Sequence, residues 1–155
     1  MSKDATRFSP KAPADTLPWA SMEDPAVRAR MPLGGVARLL GGIVGAFYLF
    51  TGAWAFIFPP NFYSTVAGFA PYNLHLLHDV GAFQIGMGTV LFVAALDGKG
   101  LVPALIGVLA GSLVHLLAHV KDIGLGGHPS TDIPALTLIA AVLAVALYLE
   151  ARTRT

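Results

Sequence analysis

The sequence contains no cysteine. That excludes disulfides, cysteine-ligated zinc, iron–sulfur clusters and a thiol nucleophile, and it erases any trace of the redox state of the compartment. Charge is scarce too. Only 12% of the 155 residues are Asp, Glu, Lys or Arg, about half the roughly 25% of an ordinary soluble domain. Phosphate loops and nucleophile–base pairs are missing, so no catalytic residue is assigned. The few basic residues flank apolar runs instead of forming a patch, which leaves nucleic-acid binding without support.

What is present is apolar: 55% of the chain is hydrophobic. A soluble domain of this size buries one core and could not hide that much apolar surface from water. A bilayer removes the difficulty. Four runs have the roughly 20-residue length that a helix needs to cross hydrocarbon. They cover residues 36–58, 74–96 and 101–120, with a fourth ending near Glu150. Pro59-Pro60 ends the first, because proline cannot continue helical hydrogen bonding. The loop 61–72 carries no charge and holds Phe62, Tyr63, Phe69 and Tyr72, which suit the interfacial belt. Asn73 is a candidate N-cap for the second span. Asp97-Gly98-Lys99-Gly100 forms a tight turn, residues 121–132 a glycine-rich loop, and Pro134 falls in the first turn of the fourth span.

The expected architecture is all-α: a four-helix transmembrane bundle, up-down-up-down, occupying residues 33–150. Residues 1–32 read as a disordered tail with no apolar signal segment, and residues 151–155 as a short basic tail. Lys3, Arg7, Lys11, Arg28, Arg30, Arg38, Lys99, Arg152 and Arg154 fall on one side, and only Lys121 on the other. By the positive-inside rule both termini are cytoplasmic, in a multi-pass protein of a bacterial inner membrane. Gly41/Gly45, Gly107/Gly111 and the glycines at 81, 86 and 88 predict close helix approach, and Gln84 an interhelical hydrogen bond.

This orientation gathers the polar residues. The second span enters from the outer side carrying His75, His78 and Asp79, and the third leaves there carrying His115 and His119. At about 100° per residue, His75 and Asp79 share a face, and Ser112, His115, His119 and Asp122 form a stripe. His128 and Asp132 lie at the same end, His128 as a surface residue of its loop. Ionisable groups in a membrane span are costly and normally face a partner or a cavity.

Several readings follow. His75, His78, His115 and His119, with Asp79, could bind a cofactor. A transition metal would take His75, His115, His119 and Asp79, since an i,i+4 pair directs both rings off one helix face. A haem b would take one histidine from each helix, such as His78 and His115. A proton-exchanging site for a quinone or similar lipid-soluble substrate is a second reading. A contact with another membrane subunit is a third, and a hydrogen-bonded network locking two helices at headgroup depth is the plainest. Besides the lipid bilayer, the partners left open are a larger membrane complex or further copies of the chain.

The stretches Phe-Pro-Pro-Asn-Phe-Tyr (58–63), Pro-Tyr-Asn-Leu-His-Leu-Leu-His-Asp-Val-Gly-Ala-Phe (71–83) and Val-His-Leu-Leu-Ala-His (114–119) resemble, in this order, a group of small bacterial four-helix membrane proteins loosely similar to the DoxX-like family. The resemblance covers roughly residues 36–148. It implies that Asn73, His75, Asp79, His115 and His119 match the group's pattern, while His78 stands where that pattern has a basic residue. It implies no activity. An association with redox complexes and quinone chemistry follows only at the level of the fold.

Overall fold

The computed structural model describes residues 25–154, with side chains from residue 33 onward. The chain is all-α, and its four long helices form the expected bundle. Helix α1 is Pro25–Ile57, α2 the single turn Pro59–Phe62, α3 Leu74–Asp97, α4 Leu101–Lys121 and α5 Pro129–Arg152. A π-helical turn, Tyr63–Ala67, follows α2. Four segments are long and apolar enough to cross a membrane: Leu33–Ile57, Leu74–Asp97, Leu101–Lys121 and Pro129–Arg152. At most 33% of any of these windows is buried inside the protein. Phe50, Phe83, Val114 and Leu138 are among the large apolar side chains that point outward. Such a surface is stable against lipid tails and not against water, so the chain is a multi-pass membrane protein.

Three boundaries differ from the sequence reading. Helix α1 begins at Pro25, ahead of the apolar run, because a helix can start on good formers such as Ala and Arg before hydrophobicity begins. Proline also suits a helix's first turn. The remainder of the expected tail, residues 1–24, lies outside the described residues. The loop after Pro59-Pro60 is mostly helical, since proline stops one helix and starts another equally well. Finally, Pro129 occupies the first turn of α5 and Pro134 lies inside that helix, so the preceding loop shrinks to residues 122–128.

Association in lipid is driven by close packing and hydrogen bonds, because the tails are as apolar as leucine. The most extensive interface joins α1 to antiparallel α3. Gly45 and Gly52 on α1 oppose Gly88 and Gly81 on α3, each pair seven residues apart. A Cβ at Gly88 would lie 2.8 Å from the Gly45 carbonyl oxygen, and one at Gly81 the same distance from that of Gly52. Gly86 and Gly107, expected in this role, face open space, and Gly111 touches only Met87. Their spacing was right for packing, but spacing alone does not tell which face a neighbour covers.

Polar links complete the core. Thr51 on α1 donates to the side-chain carbonyl of Gln84 on α3 (2.5 Å), the interhelical bond expected of Gln84. The hydroxyls of Tyr48 and Ser112 meet at 2.8 Å, tying α1 to α4. Val44, Tyr48, Leu91, Leu101, Leu105, Val108 and Leu143 pack into one buried cluster between the helices. A smaller one, Ala55, Phe62 and Leu77, lies under the loop after α1. At the other end Arg38 Nε donates to the Ala95 carbonyl (2.8 Å) and Nη2 to that of Leu96, satisfying the last turn of α3. Gly98 follows with φ +75°, a left-handed cap that favours glycine.

Candidate functional site

The ionisable residues of interest collect where α3 begins, α4 ends and α5 begins. Asn73 caps α3 as expected, its side chain accepting from the Leu76 N–H at 3.1 Å. This fixes the first turn, from which His75 and Asp79 project one above the other. Their side chains pair at 3.5 Å (Nε2 to Oδ2) and are 87% and 52% exposed. His78 turns the other way and lies against the Phe56 ring of α1, with ring centroids 4.9 Å apart.

On α4, His115 and His119 are one turn apart and their Nε2 atoms are 3.1 Å from each other. The rings are inclined at 60°, and the two nitrogens lie within hydrogen-bonding distance of each other. The opposite face of His119 looks toward α5, where Asp132 Oδ2 lies 3.8 Å from Nδ1. That carboxylate, 16% exposed, is the more enclosed partner. Its Oδ2 also accepts from the backbone N–H of His128 at 2.7 Å. A proton on Nδ1 of His119 would face Asp132 and leave the Nε2 lone pair free, so that Nε2–H of His115 donates to it.

The loop after α2 and the loop 122–128 meet at this end of the bundle. Phe69 and Gly126 form an isolated antiparallel bridge, and the Gly127 N–H donates to the Gly68 carbonyl at 3.4 Å. His128 is exposed, as expected, with its imidazole beside Gly68.

Thus the structure sorts the expected residues into two groups. His115 and His119 come together, and so do His75 and Asp79. Among the described residues, no hydrogen bond, ion pair or ring contact joins the α3 set to the α4 pair. Nor do three or more His, Asp or Glu residues gather around one point as a ready-made metal cage. The cause lies in the packing, because α3 spends its glycine face on α1 while α4 lies mainly against α5. The carboxylate beside His119 is therefore Asp132 of α5, while Asp79 pairs with His75 on its own helix. A signal for it was available: a short loop makes α4 and α5 antiparallel neighbours, which puts an acid in the first turn of α5 level with the last turn of α4.

No protein-family model, curated protein or solved structure matches this chain.

A metal with two imidazole nitrogens at about 2.0–2.1 Å and 3.1 Å from each other has an N–metal–N angle of about 100°. That is a cis chelate, compatible with tetrahedral or tetragonal coordination. Axial ligation of a haem needs two nitrogens on opposite faces of the macrocycle, roughly 4 Å apart, which neighbours on one helix turn do not offer. The His115–His119 pair thus has the separation of a cis chelate, whereas the haem reading took one histidine from each helix, His78 and His115.

Proposed function

We propose that this chain binds a transition-metal ion at the outer end of its bundle through His115 and His119, as an accessory of a redox assembly in a bacterial cytoplasmic membrane. The observation that carries this reading is the convergence of the two Nε2 atoms at 3.1 Å, with a carboxylate on the far side of one ring. Carboxylate–histidine–metal arrangements of this kind hold the ring's tautomer and raise its basicity. Two protein ligands leave further positions for water or for a donor from a partner, which suits an exchangeable or redox-active ion better than a structural one. The excess of basic residues on the side of the termini supports a cytoplasmic placement of both ends, and hence an outward-facing site. The redox association rests only on the fold-level resemblance to DoxX-like proteins.

The test is electron paramagnetic resonance of purified protein titrated with one equivalent of Cu(II). Two equatorial nitrogens are expected in the wild type and in His75→Ala, and His115→Ala loses the two-nitrogen signature. An unchanged spectrum in His115→Ala refutes the site.

A second reading rests on the exposed His75–Asp79 pair. A polar pair this open at the bundle's edge suits a contact with a neighbouring membrane subunit. Co-migration with a partner in mild detergent, lost in His75→Ala/Asp79→Ala, supports it. A chain that migrates alone before and after the change refutes it.

A further inference from the structure

We infer that metal occupancy of the His115–His119 pair controls the order of the two outer loops through Asp132. The inference rests on the metal-binding reading above and adds a regulatory link to it. Asp132 occupies a junction: the same Oδ2 atom lies 3.8 Å from His119 Nδ1 and accepts the His128 backbone N–H at 2.7 Å. His128 closes a loop whose preceding residues, Gly126 and Gly127, are joined to Phe69 and Gly68 of the other loop. A single carboxylate therefore connects the imidazole, the start of α5 and the bridge between loops.

The direction of the effect follows from charge. A cation on Nε2 makes the Nδ1–H of the same ring a stronger donor, and 3.8 Å is longer than the usual 2.7–2.9 Å of a charge-assisted bond. Loading draws Asp132 and His119 together and fixes the carboxylate that holds the His128 N–H. The loop 122–128, and through its bridge Gly68–Phe69, becomes more ordered. Such a coupling is reciprocal, so a change that breaks the loop bridge must weaken the metal site.

The experiment is amide hydrogen exchange of the purified full chain with and without zinc, alongside zinc titration calorimetry. In the wild type, zinc is expected to slow exchange at Gly127 and His128 several-fold. Asp132→Asn keeps an acceptor for the His128 N–H but loses the negative charge. It is expected to bind zinc about tenfold more weakly or worse, and to show no zinc-dependent slowing at saturation. Gly126→Ala touches neither imidazole. Its Cβ would lie 2.8 Å from Phe69 Cα, at a φ of +130°, so the bridge breaks and zinc affinity falls. Zinc bound tightly with loop exchange unchanged overturns the coupling and leaves the site standing, as does wild-type affinity in Gly126→Ala. A wild-type chain that takes no zinc overturns both.

Discussion

Replacing Gly52 by alanine adds one methyl group to α1 at the point where it crosses α3. The new Cβ would lie 2.8 Å from both the Gly81 carbonyl oxygen and the Ile85 nitrogen, and 2.9 Å from Gln84 Cβ. Two of these are backbone atoms and cannot swing aside. To reach an ordinary contact of 3.4 Å the helices must part locally by about 0.6 Å, the difference between 3.4 and 2.8. That separation strains the neighbouring Thr51–Gln84 bond and loosens the Gly45–Gly88 approach two turns away. Overpacking of this kind costs about 1–3 kcal/mol. Alanine's better helix propensity returns about 0.8–1.0 kcal/mol, which leaves a net loss of about 1–2 kcal/mol at the upper part of that range. Gly86→Ala is the control, because a Cβ there meets nothing within 4 Å; only the propensity gain of up to about 1 kcal/mol remains. The two variants should therefore move in opposite directions in a reversible SDS titration from mixed micelles, followed by far-ultraviolet circular dichroism. Equal shifts of the same sign would refute the assignment of α1–α3 as the tight interface.

Two further substitutions probe single bonds. Tyr48→Phe removes the hydroxyl that meets Ser112, which still donates to the Val108 carbonyl at 2.7 Å; the same titration should show a loss of about 1 kcal/mol, and no loss would mean that the bond contributes nothing to holding α1 against α4. Asn73→Ala deletes the acceptor for the Leu76 N–H; a cost of about 1 kcal/mol and faster amide exchange at Leu76 are expected, and unchanged exchange would show that the cap is dispensable.

The four spans, the N-cap at Asn73 and the interhelical role of Gln84 were legible in the sequence, because each depends on local composition or on a single residue's chemistry. Span length needs only a count of apolar residues, and a capping asparagine needs only its place before the run. What the sequence withheld was rotation. The histidines at 75, 78, 115 and 119 do lie at one end, as their positions required, but which residues face one another depends on how each helix turns about its axis. That is decided by the glycines at 45, 52, 81 and 88, which draw α3 onto α1. Gly86 and Gly107 show the same limit, since a small residue facing lipid looks identical in sequence to one facing a helix. Asp132 escaped attention as a partner for a similar reason. Its significance comes from the level at which α5 starts, and Pro129 sets that level several residues before the proline that had marked it.

The central claim is that the His115–His119 pair holds a transition metal. Elemental analysis of the protein purified gently from its native membrane, without added metal or chelator, tests it most directly. The account predicts close to one equivalent of a single transition metal per chain, absent from His115→Ala purified in the same way, with no Soret band in the visible spectrum. Wild-type protein free of metal, or a metal content unchanged in His115→Ala, would contradict it.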